Sequence, residues 1–341
     1  MQADRHCLIS CPVQRVQPYP IILLVMAIPP QLFSQIKKCM IRPVSPELDF
    51  LAEVLVEKYR GAVRAVLFYG SCLQRDNPFD GLVDLYVLVD SYGHAHGMNL
   101  SALANCLLPP NVYYYEGMYR DRTIRVKYAV ISLSQFRKAC SMRWFHSYFW
   151  GRFCQPSAII YVKDRSDADD VVEACASAVI TFLTRTIPCI TPEFTVSQVW
   201  QYGLGLAYGA ELRPERPDRV EALFSAGSHW FMAVTGPALE AVPFGLRFMH
   251  GVEPCWRASI DGRTRNMCRL GWFVRSVQGK ILSVLRLMKA AFTFRGGVDY
   301  AVYKIERHSG VALEVSPFLR RHPLLSMLVF AIRIFRRGGV R

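Results

Sequence analysis

The chain has 341 residues, 52% hydrophobic and 20% charged, which supplies a sizeable core and argues against a disordered or collagen-like polymer. Its formal net charge of +14 points to an acidic partner class (nucleic acid, anionic lipid or a polyphosphate) or, in the plainer reading, to a basic surface without a specific target. Eleven cysteines occur with no CxxC pair and no Cys/His metal spacing, which argues against a disulfide frame or zinc site and for reduced, buried thiols.

Residues 1–44 read as an N-terminal extension. Arg5, Arg15, Lys37, Lys38 and Arg42 stand there against Asp4 alone. The apolar run Ile21 to Ile28 is bounded by Pro20 and Pro29 and is too short to span a bilayer. From Ser45 the spacing of Leu48, Leu51, Val54, Leu55 and Tyr59 predicts a helix, with Ser45 as N-cap and Pro46 at its first position. Ala62 to Tyr69 predicts a strand ending in Gly70-Ser71, and Leu82 to Val89 a second strand after a polar loop. Arg122 to Ile131 predicts a third, and helical character returns through Trp144 and Tyr148. Residues 45–165 therefore form a mixed α/β unit.

Residues 166–310 read as a mainly helical second domain, with helices over Val171 to Leu183 and Gly271 to Phe294 and prolines 188, 192, 214 and 217 between elements. Residues 311–341 form a C-terminal segment. Leu324, Leu325, Leu328, Val329, Ile332 and Phe335 line one helical face beside Arg333, Arg336 and Arg337. That pattern suits a basic amphipathic helix at an anionic interface, or equally a terminal helix packed on a core.

The segment that carries chemistry is Leu67 to Asp90, LFYGSCLQRDNPFDGLVDLYVLVD. Gly70 lets the backbone approach a phosphate closely. Ser71 and nearby N–H groups supply hydrogen bonds to phosphate oxygens. Asp84, thirteen residues after Ser71 on the adjacent strand, is the candidate ligand for Mg²⁺ held against the same phosphates. Asp90 is either a second ligand or simply ends the strand. Nucleotidyl transfer needs little beyond such positioning and charge neutralisation. The spacing matches a polymerase-β-type nucleotidyltransferase, although Tyr86 stands where that superfamily has its second carboxylate. An ordinary β-turn-β with a surface aspartate is the plain alternative.

Further blocks resemble the mitochondrial-type phosphatidate cytidylyltransferases, the translocator assembly and maintenance family. Phe68-Tyr69-Gly70-Ser71, Asp84 and Asp90 match its strand ends; Cys72 replaces a glycine. His96, Asn99 and Leu100 match a Trp-His-x-x-Asn-Leu segment, with Ala95 for the tryptophan. Val112-Tyr113-Tyr114 resembles a Val-Tyr-aromatic stretch, and Lys127-Tyr128 lies in a block resembling an Ile-Lys-Tyr-Gly-Val-Ile-Ser strand. Trp144, Tyr148, Gly151, Arg152 and Pro156 keep the spacing of a fifth signature, and Leu206 to Arg213 resembles a sixth, with Glu211 for an aspartate. Tyr303-Lys304 resembles a late Tyr/Lys element.

The resemblance implies that phosphatidic acid attacks the α-phosphorus of CTP, with Mg²⁺, giving CDP-diacylglycerol and pyrophosphate. It implies a peripheral enzyme on the cytoplasmic face of a bacterial inner membrane or the matrix face of a mitochondrial one. It casts Tyr69, Gly70 and Ser71 as nucleotide-binding, Asp84 and Asp90 as metal ligands, and Lys127 as a phosphate partner. A lysine within an apolar strand needs such an anion partner when buried. His96, Asn99, Arg152, Arg213 and Lys304 become substrate contacts, although His96 has a helix-capping alternative and Arg152 a helix-end clamping one. Trp144 and Tyr148 read as core, and a third metal carboxylate is left open between Asp121 and Glu116. Two rival readings stay open. One is a nucleotidyltransferase acting on another acceptor such as RNA or protein, although no RNA-stacking motif is present. The other is a non-catalytic membrane-associated scaffold.

Overall fold

The computed structural model describes residues 27–75, 79, 81–211, 217–249 and 254–293. Arg213, Lys304 and the segment 311–341 lie outside the described residues. In chain order the elements begin with α1 (Pro30–Met40), α2 (Pro46–Lys58), β1 (Val63–Tyr69), α3 (Ser71–Arg75), β2 (Val83–Val89), α4 (Tyr92–His96) and α5 (Leu100–Leu107). There follow β3 (Asn111–Tyr119), β4 (Arg122–Ser132), α6 (Leu133–Ala139), α7 (Trp150–Phe153), β5 (Ser157–Val162) and α8 (Arg165–Thr186). The last are β6 (Glu193–Thr195), α9 (Val196–Gly209), α10 (Pro217–Ala226), α11 (Ser228–Leu239), β7 (Gly245–Met249), β8 (Cys255–Ser259) and α12 (Gly262–Thr293).

The architecture is mixed α/β. Five strands pair in the order β3-β4-β2-β1-β5. β2 and β4 run parallel, and the other pairs are antiparallel. Both faces are covered. On β2, Val83, Leu85, Val87 and Val89 join Leu48, Leu51 and Leu55 of α2 in one buried cluster. Tyr86 and Leu88 turn the other way and join Val172, Val179 and Phe182 of α8 in a second. This period-two division explains why the strand reads as a nearly unbroken apolar run. The second cluster reaches from Leu67 and Ile131 of the sheet to Trp200 of α9 and Trp230 of α11, on both sides of residue 165.

The predicted strands appear as β1, β2 and β4, and the predicted helices as α2, α8 and α12, with shifted ends. Pro46 does start α2, but the Ser45 side chain makes no capping bond. Glu47 and Asp49 in the first turn favour the helix start instead. Part of the supposed extension is integral, since Leu32, Ile36 and Met40 of α1 are fully buried. Their spacing of four puts them on one face, which packs against α8 and α11. The helix expected through Trp144 and Tyr148 is corrected. Residues 141–149 are irregular, and only Trp150–Phe153 is helical. A second small sheet, β6-β8-β7, interrupts the later helices. α8 with the turn after it is long and apolar enough to cross a membrane, yet 89% of its apolar window is buried in this fold.

Candidate functional site

The antiparallel register of β1 and β2 sets Tyr69 opposite Asp84. The parallel register of β2 and β4 sets Asp84 opposite Lys127, and Tyr114 of β3 lies next in the row. Paired residues share a face, so four polar-ended side chains line one edge of the α8-side core. Lys127 Nζ lies 3.3 Å from Asp84 Oδ1. Both are partly exposed, at 36% and 24% of their side chains, so the pair is open to a ligand.

Gly70 follows directly with φ +86°. A Cβ there would meet Asp84 Oδ2 at 3.2 Å. The backbone therefore turns tightly over the carboxylate, in a conformation that glycine adopts without strain. Cys72, one residue past Ser71, is 1% exposed and its thiol donates to the Leu82 carbonyl at 3.2 Å. Its side chain belongs to the α2-side core, so the missing glycine does not crowd the turn.

Tyr69 lies against Tyr86 and Phe153, with ring centroids 5.2 and 6.0 Å away. Burial, reinforced by the Asp84 charge, pushes its phenol well above the ordinary range. It stays neutral and acts as the aromatic floor beneath the pair.

A second group of polar side chains stands near Tyr69 and Tyr86. Arg152 forms an ion pair with Glu211 at 2.6 Å and donates to the Tyr148 carbonyl at 2.7 Å. The Tyr148 ring lies between two guanidinium groups, Arg152 at 3.8 Å and Arg286 at 4.0 Å from its centroid. Both contacts are within cation–π range. Burial opposes the Arg152 charge, yet Glu211 and the surrounding tyrosines hold its pKa well above the usual value. Arg286 is pulled below its usual value, first by burial, and its Nη1 is buried without a hydrogen-bond partner. Of the two roles weighed for Arg152 in sequence, the structure displays the clamp, on the Tyr148 carbonyl. Its charge also lowers the Tyr69 pKa, as that of Lys127 does. Sequence reasoning missed Arg286, because it is one of seven Lys and Arg in α12 and nothing local sets it apart.

The irregular wall at 141–149 is fixed by two buried arginines. Arg185 donates to the carbonyls of Met142, Trp144 and Phe145 at 2.8–3.0 Å. Arg275 donates to the Phe145 carbonyl at 2.8 Å. The four-residue spacing of Trp144 and Tyr148 arises from this loop and not from a helical turn. Both side chains are partly buried against the core.

Other predicted site residues fall elsewhere. Asp90 lies six residues beyond Asp84, past the far end of β2, which is roughly 20 Å of extended chain. It cannot share an ion with Asp84, and the two-aspartate metal assignment is corrected. Asp90 accepts from His94 Nδ1 at 2.7 Å. His96 sits near that same end, half-buried between Tyr59 and Tyr113, with its pKa lowered by burial. Asn99 caps α5 by accepting from the Ala102 N–H at 3.1 Å, a structural role that accounts for it without substrate. Glu116 accepts from the Tyr114 hydroxyl and from Arg125, at 2.6 and 3.1 Å, two strands from Asp84. Asp121 occupies the β3–β4 turn at φ +62°.

No group of three or more His, Cys, Asp or Glu suited to a metal exists among the described residues. The one carboxylate at this strand edge suits a cation that takes its remaining ligands from phosphates and water, a mode usual for Mg²⁺. The nine described cysteines are free, and Cys140, Cys154 and Cys175 are buried together, with thiol pKa values raised chiefly by burial. Compared with models of known families and with curated proteins, the chain matches none.

Proposed function

We propose that the chain is a nucleotidyltransferase that uses Mg²⁺-bound CTP and phosphatidic acid, on a polymerase-β-type α/β framework followed by a helical region. The observation that carries this reading is the turn of Gly70 over Asp84, with Lys127 in register beside it. A glycine turn, one carboxylate and one ammonium at a shared strand edge suit a triphosphate and its cation. When bound, the cation would neutralise charge on the phosphates. Lys127 would leave Asp84 for a phosphate oxygen as the cation takes its place. The Gly70–Ser71 backbone would hold the phosphate chain while Tyr69 closes the floor. The acceptor phosphate would form its new bond to the α-phosphorus as the bond to pyrophosphate breaks. Arg152 and Arg286, flanking Tyr148, supply positive charge for a second phosphate-bearing substrate. The peripheral membrane location and the cardiolipin and phosphatidylglycerol branch of lipid synthesis follow from that substrate pair.

The test is incubation of the full chain with labelled CTP, phosphatidic acid in mixed micelles and Mg²⁺, beside Asp84→Ala. A lipid-soluble labelled product that needs both Mg²⁺ and Asp84 is expected. CTP binding without product would redirect the search to RNA or protein acceptors. Absence of CTP binding would overturn the enzyme reading in favour of a scaffold.

A further inference from the structure

The described residues of α12 expose an apolar face that no site function uses. Met267, Leu270, Val274, Val277, Ile281 and Met288 recur at spacings of three, four and seven, and each is 45–58% exposed. Phe273 beside them is 67% exposed. That spacing is one stripe of a helix, and from Met267 to Met288 it runs about 32 Å along α12. The opposite side is anchored in the core by Trp272 and Arg275, which are 5% and 7% exposed. Nearby, α5 carries further exposed apolar side chains: Leu100, Leu103 and Leu107 are 77%, 55% and 75% exposed. The two helices meet where Lys289 Nζ donates to the Leu108 carbonyl at 2.5 Å.

We propose that this combined face of α12 and α5 docks on an anionic lipid bilayer. An apolar stripe this long exceeds the scattered exposed side chains normal for a protein surface. Charge selects the occupant. α12 contains seven Lys and Arg and no Asp or Glu, and Arg263, Arg269 and Lys280 are exposed along the stripe. A second copy of the helix would set like charges against one another. The apolar residues at 324–335, among Arg320, Arg321, Arg333, Arg336 and Arg337, would do the same. An anionic headgroup layer complements the rim while the acyl boundary takes the stripe. The surface stands apart from the nucleotide reading, because it needs neither Asp84 nor CTP. It also gives α12 a second role, since Arg286 of the same helix contacts Tyr148 at the candidate site.

The experiment is flotation of the full chain with phosphatidylcholine vesicles, with and without phosphatidylglycerol. The triple variant Phe273→Ser, Val277→Ser, Ile281→Ser changes exposed positions only, and its circular dichroism melt verifies folding. Wild type should float with the anionic vesicles, and the triple variant should lose partitioning on the order of a hundredfold. Replacing Arg263, Arg269 and Lys280 by Gln should remove the preference for phosphatidylglycerol. Unchanged flotation of the triple variant overturns the proposal, as does its loss only on replacing Leu324, Leu328 and Ile332 by Ser. A wild-type dimer that the triple variant dissociates, without flotation of either, assigns the face to a second copy and equally overturns it.

Discussion

Asp84 and Lys127 stand opposite each other on the only parallel strand pair of the five-stranded sheet, with Nζ 3.3 Å from Oδ1. A partly exposed pair of this kind contributes about 0–1 kcal/mol to stability, so its value lies in the charges it holds ready. Lys127→Gln should leave the melting temperature nearly unchanged and weaken CTP binding by about tenfold or more, the loss of one charge-assisted hydrogen bond. Isothermal calorimetry with and without Mg²⁺ measures it. Unchanged affinity would remove Lys127 from the site.

Gly70 is constrained twice, by its positive φ and by the carboxylate of Asp84. Gly70→Ala should cost roughly 1–2 kcal/mol of stability through backbone strain alone. The added methyl should also push Asp84 aside, so nucleotide binding should fall further than stability does. Denaturant unfolding and calorimetry on the same variant separate the two effects.

The Arg152–Glu211 pair is more enclosed, with side chains 19% and 23% exposed. Removing one partner leaves a poorly solvated charge, and Glu211→Gln should destabilise by about 2–4 kcal/mol. Arg152→Lys cannot keep both the bond to the Tyr148 carbonyl and the ion pair in the same fork geometry. It should therefore fall between wild type and Glu211→Gln in a urea melt.

His146 is 4% exposed, and its pKa is lowered to about 3 by burial and then by Arg286, Arg152 and Arg275. The unfolded imidazole binds its proton near pH 6.5, whereas the folded one stays neutral until about pH 3. Between these values the unfolded chain holds the extra proton. The stability that His146 contributes is thus complete above pH 6.5 and is lost as pH falls toward 3. His146→Gln, which can still accept from the Tyr148 N–H, should flatten the stability–pH curve in that window. A curve as steep as wild type would refute the assignment.

The sequence disclosed β2 and the nearness of Gly70 to Asp84 because a β-branched, apolar run after a polar loop and a glycine strand end are local signals. It did not disclose β5, whose six residues, SAIIYV, form a short apolar run without alternation. β3 carries three successive tyrosines, noticed only as part of a motif. The separation of Asp84 from Asp90 was within reach, since six residues of strand exceed any single ion's coordination sphere. The irregular wall at 141–149 was not, because its shape is imposed by Arg185 and Arg275 from far along the chain. Arg286 likewise reaches Tyr148 across more than a hundred residues.

That arginine-held wall has a thermodynamic consequence. Loops that form binding surfaces commonly lose conformational freedom when a ligand arrives, and this weakens association. Here the carbonyls of Met142, Trp144 and Phe145 are already fastened from behind by Arg185. A ligand seated against Tyr148 meets a wall whose carbonyls already have their partners. Its affinity is then governed by contacts and desolvation, with little ordering entropy, and the segment should show slow amide exchange before and after binding alike.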